Sequence, residues 1–332
     1  MIKISDCHIT NMDFSNVIYV ESLYALSLIF FEFKDHIDDS LFVIRKNSID
    51  ISIINGLDNY VVFEGYLSNL DKVKIRFFGQ CKKTEKINFL IQRKFRYIGH
   101  DHLNLSCFFY FNSQDVVIIE DGLQSYKLQS KPSIVKRALY FTGVYFKPFG
   151  RGEKVNKVIL TGKGNVPLDL KNKVKIIDYT RYLRELPVIQ NGSFSCELEC
   201  EDDNVVILLT QPLSEDGILT ECEKIKIYST IVEGLNNKVL IKPHPREKTV
   251  YSNYGFSVLK NNFLIESIYF NSNISTIISL FSTATMDGPE CCSGKLITLG
   301  TGFNTKLIDK FGVVESSSNK YEEIIKKLGL IY

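Results

Sequence analysis

The stretch DVVIIEDG (115–122) decides how the rest of the chain is read. A row of β-branched residues ends abruptly in two acids and a glycine. An unbroken apolar run is what a strand covered on both faces requires, and such strands belong to parallel sheets flanked by helices. Toward the N-terminus, NVIYV (16–20), LFVIR (41–45), YVVFEG (60–65) and KVKIRFFG (72–79) repeat the strand signal, and ESLYALSLIFFEF (21–33) has helical length. Toward the C-terminus the alternation continues through KVILTG (157–162), KVKIIDY (173–179), VVILLTQ (205–211), KVLIKPHP (238–245), TIISLFSTATMDG (276–288) and KLITLG (295–300). ECEKIKIYSTIVEGL (221–235) and YEEIIKKLGLIY (321–332) read as helices. The expected class is α/β.

QNGSFSCELECEDDN (190–204) breaks the pattern with glycine, serine and a run of acids, and reads as an inter-domain linker. Two α/β halves of similar size around a linker describe the GT-B architecture, two Rossmann-like domains facing a central cleft. The expected domains are 1–195 and 196–320, with a terminal helix, 321–332, packing back on the N-terminal domain. No G-x-G-x-x-G follows a strand and no G-x-x-x-x-G-K-[ST] occurs, which removes the main support for a dinucleotide enzyme or a P-loop NTPase.

Composition narrows the classes further. Apolar residues make up 45% and charged residues 23% of 332, which excludes disorder, collagen and coiled coil. Lys+Arg 40 against Asp+Glu 38 leaves +2, too balanced for a dedicated nucleic-acid binder. The 8 cysteines include no Cys-x-x-Cys, so free thiols in a reducing compartment are expected. The first twenty residues lack the apolar core of a signal peptide, and SLYALSLIFF (22–31) is about half the length that a membrane span needs. The expectation is a cytoplasmic protein. Peripheral association with the inner membrane is compatible with the basic segments 72–86 and 326–327, although a solvated face explains such segments more simply.

Three constellations sit at the ends of candidate strands, where open α/β sheets bind ligands. Glu120-Asp121-Gly122 delivers two carboxylates to one turn, where desolvation and a neighbouring charge can raise a pKa and make a general base. A plain turn capping the next helix explains the tripeptide equally simply. Lys242-Pro243-His244-Pro245-Arg246 locks one histidine between prolines and gathers three potential cations, suited to a phosphate leaving group. Ser282 and Thr283 lie where a strand runs into small hydroxylated residues and a helix start, a place for an anion or an ordinary cap. Gln211 opens a polar turn, QPLSEDG, placed where a nucleotide fits. His100-Asp101-His102 has the look of a ligand set, but no third ligand cluster accompanies the two histidines, so metal is discounted.

Taken together, E-D-G, then T-Q-P-L-S-E-D-G, K-P-H-P and S-x-x-S-T-A resemble the bacterial lipooligosaccharide and O-antigen sialyltransferases and their polysialyltransferase relatives, over roughly residues 95 to 300. The resemblance implies an inverting, metal-independent and cofactor-free transfer of sialic acid from CMP-sialic acid to a galactose-type hydroxyl of a surface glycan, with a lipid-linked acceptor. It implies that Asp121 is the general base, that Glu120 and Gly122 support it, and that His244 meets the departing CMP phosphate. Gln211, Lys242, Pro245, Ser282 and Thr283 are the donor-binding candidates, and His100, Asp101 and His102 the acceptor-side ones. Two alternatives remain open: a CMP-dependent transferase of another nonulosonic acid or Kdo, and a non-catalytic glycan-binding subunit.

Overall fold

The computed structural model describes residues 13–49, 51–54, 57, 59–122, 124–126, 133–141, 145–194, 204–235, 237–259, 263–286 and 295–330. The chain divides into two compact units, Met1–Phe194 and Ser195–Tyr332. Most of the candidate linker, 195–203, lies outside the described residues.

The first unit carries seven strands in the order β3-β2-β1-β4-β5-β6-β7, and every pair is parallel. They are β1 (Asn16–Tyr19), β2 (Ser40–Arg45), β3 (Tyr60–Phe63), β4 (Arg96–Gly99), β5 (Asp115–Ile119), β6 (Val155–Leu160) and β7 (Val174–Ile176). The unbroken apolar runs are buried as expected: all four residues of β1 are buried, as are the last four of β5. Helix α1 (Leu23–Glu32) starts where the Ser22 hydroxyl accepts the Ala25 N–H. It buries every residue from Ala25 to Phe30, which accounts for its hydrophobicity without a membrane. Among the described residues no helix is long and apolar enough to cross one.

One element departs from expectation. KVKIRFFG (72–79), read as a strand, lies in helix α2 (Asn69–Phe78). Its alternation of charged and apolar residues mimics a period of two, but the ends decide otherwise. Ser68 and Asp71 form a reciprocal capping box, and Gly79 at φ 73 closes the helix in the left-handed conformation. Helices α3 (Ser106–Asn112), α4 (Ile134–Phe141) and α5 (Tyr179–Glu185) complete the unit.

The second unit has four parallel strands in the order β11-β10-β8-β9: β8 (Val205–Leu209), β9 (Val239–Lys242), β10 (Ile274–Ser279) and β11 (Lys295–Thr298). Helices α6 (Glu221–Glu233), α7 (Thr283–Met286), α8 (Thr305–Phe311) and α9 (Glu322–Gly329) accompany them. The terminal helix was expected on the N-terminal domain. Instead α9 packs against α6, and Ile324 and Leu328 are part of the second unit's own core. Each unit is thus Rossmann-like, the component build of GT-B. Both sheets reverse direction of growth beside their first strand, between β1 and β4 and between β8 and β10, where the following loops open a crevice.

Candidate functional site

In the first unit the loops after β4 and β5 carry the expected acceptor-side residues. Strand β4 stops at Gly99, where a Cβ would lie 2.0 Å from the Tyr19 carbonyl oxygen of the neighbouring strand. The next residues leave the sheet, and the His100 carbonyl accepts hydrogen bonds from the Tyr97 and Ser106 hydroxyls. His100 and His102 are therefore on the loop that follows the strand. Their ring centroids are 5.3 Å apart. Asp121 supplies the third group that sequence reading did not find: His102 Nε2 lies 2.9 Å from Asp121 Oδ2, and His100 Nε2 lies 3.9 Å from Oδ1.

The Asp121 carboxylate is about one-third exposed, at 34%. Burial pushes its pKa up, but the His102 hydrogen bond and both imidazoles push it down further, and the net shift is downward. This reverses the expected raised carboxylate: Asp121 is held as an anion. Burial lowers His100 to about 4, so at neutral pH its ring is uncharged. Gly122 turns the chain at φ 57, a conformation other residues adopt at a cost, and its Cβ position has nothing within 4 Å.

Glu120 does not share a site with Asp121. It is fully buried and accepts hydrogen bonds from Tyr24 at 3.0 Å, Tyr126 at 2.6 Å, and the Thr161 amide and hydroxyl at 2.6 and 2.8 Å. It ties the loop after β5 to α1 and β6. Asp101 is buried as well, which removes it from direct contact with an acceptor. Its two oxygens accept the Phe149 and Gly150 amides at 2.7 and 2.8 Å. That bond pair fixes Phe149 at φ 56 and stacks its ring on His102, centroid to centroid 4.6 Å. Phe149 is a site neighbour without a sequence motif.

In the second unit the loops after β8, β9 and β10 share one end of one parallel sheet. The expected cluster of three cations is dispersed. The buried Lys242 ammonium lies over the Phe263 ring at 4.6 Å, and Arg246 forms a two-pronged ion pair with Asp216 at 2.8 and 3.1 Å. His244 itself is lowered to about 4 by burial and by the Arg246 charge, so it is neutral rather than imidazolium. Its Nδ1 accepts the Arg246 amide at 3.1 Å. In the neutral ring the proton then sits on Nε2, which is a hydrogen-bond donor.

Beneath this loop lies a charged hub that motif reading missed. The Lys224 side chain is fully buried, with its ammonium 3.0 Å from Glu215, 3.3 Å from Glu221 and 3.6 Å from Glu247. Glu247 accepts the His244 amide and the Tyr251 hydroxyl, both at 2.6 Å, and the Thr210 hydroxyl. Burial would raise Glu215, but the Lys248 amide and Lys224 hold it at about 2. The readable signal was Lys224 itself, in register with the buried Ile227, Tyr228 and Ile231 on the apolar face of α6.

Gln211 donates its amide to the Tyr228 hydroxyl at 2.7 Å, and Pro245 is exposed. Ser282 precedes the short α7; its amide donates to Ser279 Oγ at 2.8 Å and its own Oγ accepts from Ala284 at 3.3 Å. Thr283 is exposed. The described helix is only four residues long.

His100, His102 and Asp121 also offer three ligand atoms within 4.8 Å of one another. Two imidazoles and a carboxylate are a donor set for a divalent transition metal. Asp121 thus supplies the third ligand whose absence was the ground for discounting metal.

Comparison with known proteins gives the class. Residues 56–300 match the model of glycosyltransferase family 52. A protein of Haemophilus influenzae, itself uncharacterized, is 33% identical over 247 residues, covering 68% of this chain and 77% of that protein. Among solved structures, the GT-B domain of a sialyltransferase from Photobacterium damselae gives a TM-score of 0.47 at 12% identity, covering 86% of this chain and 90% of that one. The UDP-GlcNAc 2-epimerase of Methanocaldococcus jannaschii gives 0.40 at 14% identity, with 83% and 80% covered. The chain belongs to glycosyltransferase family 52. It is accordingly a glycosyltransferase, with a nucleotide-sugar donor and a glycan acceptor as its substrates.

Proposed function

We propose that this protein is an inverting sialyltransferase that moves sialic acid from CMP-sialic acid to a galactose-type hydroxyl of a bacterial surface glycan, on a lipid-linked acceptor. The observation that carries the reading is Asp121, a carboxylate held as an anion by His102 at the carboxyl end of a central parallel strand. Asp121 takes the proton of the acceptor hydroxyl as that oxygen attacks the anomeric carbon from the face opposite CMP. The bond from the anomeric carbon to the phosphate oxygen breaks, and CMP leaves with the electron pair. His244 Nε2–H, Ser282 and Thr283 are the donors proposed to meet the developing charge on the phosphate, with Gln211, Lys242 and Pro245 shaping the donor pocket. Glu120 and Gly122 hold the base loop, and His100 and His102 line the acceptor side.

The leaving group is a phosphate monoester, which hydrogen-bond donors can stabilise without a divalent ion, so the reaction is proposed to need neither metal nor cofactor. Purified protein given CMP-sialic acid and a β-galactoside is expected to release CMP and to keep doing so in EDTA. Release from CMP-Kdo, or from the CMP form of another nonulosonic acid, but not from CMP-sialic acid would move the donor to that sugar. Activity lost in EDTA and restored by a divalent ion would refute metal independence and point to the His100, His102 and Asp121 trio.

A further inference from the structure

Helix α2 buries Ile75 and turns its opposite face outward. Leu70, Lys74, Phe77 and Phe78 lie at i, i+4, i+7 and i+8, which places them on one helical face. Leu70 is 64% exposed, Phe77 63% and Phe78 74%. Three such side chains together on a helix with one buried residue are more than scattered surface apolarity.

The charge around them is equally uneven. Residues 66–86 hold six Lys/Arg and two Asp/Glu, a net of +4, whereas the whole chain carries +2. The remainder is therefore −2 by subtraction. Of the two acids, Asp71 is engaged in the capping box and in an ion pair with Lys83 at 3.0 Å. Lys74, Lys82 and Lys86 are all exposed.

We propose that this face of α2, with the lysines that follow it, docks on an anionic phospholipid surface. Phe77, Phe78 and Leu70 enter the boundary between headgroups and acyl chains, while Lys74, Lys82 and Lys86 reach the lipid phosphates. A second copy of this chain is a poor occupant, because a two-fold contact would set the same cationic cluster against itself. The segment before α2 is joined to the acceptor-side loop of the same unit. Asn104, two residues beyond His102, accepts the Leu67 amide at 2.6 Å and donates to the Leu67 carbonyl at 3.0 Å. Docking through α2 thus brings the His100–His102 loop to the membrane surface, whichever sugar is transferred.

The test is co-sedimentation of the full chain with vesicles of phosphatidylcholine, with and without about 30% phosphatidylglycerol. Binding to the anionic vesicles is expected to exceed binding to the neutral ones by about tenfold and to weaken with added salt. Phe77→Ser with Phe78→Ser, and separately Lys74→Glu with Lys82→Glu, are each expected to lower it about tenfold, with the melting temperature and turnover of a soluble acceptor unchanged. Equal binding to both vesicle types, or full binding by the serine variant, would overturn the proposal. So would a wild-type dimer that the serine variant dissolves, which would make the face a self-interface, and so would capture of an acidic protein with no vesicle binding. Soluble-acceptor turnover is read in the absence of lipid, so failure here leaves the transferase reading intact, and the reverse.

Discussion

Each of the two candidate loops rests on a glutamate with a buried side chain; both accept hydrogen bonds from hydroxyls and an amide, but Glu247 also has a buried ammonium close by. Glu120 takes its hydrogen bonds from neutral donors, the tyrosine and threonine hydroxyls and one amide. Glu247 sits 3.6 Å from a buried ammonium and within a group of three carboxylates around it. The loops above differ in the inverse sense. Over the uncharged scaffold, Asp121 keeps its negative charge and a histidine partner. Over the charged scaffold, His244 is uncharged and Arg246 is neutralised by Asp216. In the proposed reaction, a base calls for a carboxylate, and a phosphate site for donors without excess positive charge. Each scaffold holds its loop without imposing its own charge on it.

The sharpest way to break this comparison is at Lys224. Lys224→Met leaves Glu215, Glu221 and Glu247 facing one another around an apolar chain, and is expected to cost about 3–5 kcal/mol of stability. Urea unfolding followed on the second unit reads it, and a change below about 1 kcal/mol would show that the ammonium is not what holds the hub. Next in size is Asp121→Ala, expected to lower kcat at least about a hundredfold while CMP affinity stays within about twofold. Near-normal transfer would remove Asp121 from the chemistry. His244→Ala is expected to lower kcat by about ten- to a hundredfold, and Ser282→Ala by less than about tenfold, because a neighbouring hydroxyl or water replaces one donor more readily than it replaces the imidazole. The reverse ranking in steady-state assays would shift the phosphate contact to the hydroxyls.

The smallest effect is one of pH. His100 and His244 titrate near 4 in the folded chain against 6.5 when unperturbed. Between those values the unfolded chain binds more protons, so stability is complete above about pH 6.5 and is lost as the pH falls toward 4. Thermal melts across that window should fall with acidity, and His244→Gln should flatten part of the slope. A melting temperature independent of pH in the variant and the parent alike would contradict both shifts.

The strands were legible because burial on both faces leaves an unbroken apolar signature, as in Val116–Ile119, and a sheet of such strands places its loops by topology alone. The KVKIRFFG segment misled because alternation along seven residues says less than the capping residues that bound it, Ser68 and Asp71 on one side and Gly79 on the other. The trio of His100, His102 and Asp121 was not legible because Asp121 arrives from the loop of the adjacent strand β5, some twenty residues along the chain. The charge state of the site was not legible at all. Arg246 and Asp216 are thirty residues apart and Phe149 has no motif, so the neutral His244 and the stacked His102 follow only from the folded chain.

Most anchors of the loops after β4 and β5 lie downstream of them, Tyr24 being the upstream exception. Asp101 waits for Phe149 and Gly150, and Glu120 waits for Tyr126 and Thr161. During synthesis, Asp101 leaves the ribosome 48 residues ahead of Phe149, and Glu120 41 residues ahead of Thr161. A chain that stops before residue 161 therefore keeps the Tyr24 and Tyr126 hydroxyls on Glu120 but lacks the Thr161 amide and hydroxyl. The hydrogen bonds of this loop are thus completed only once β6 has been made.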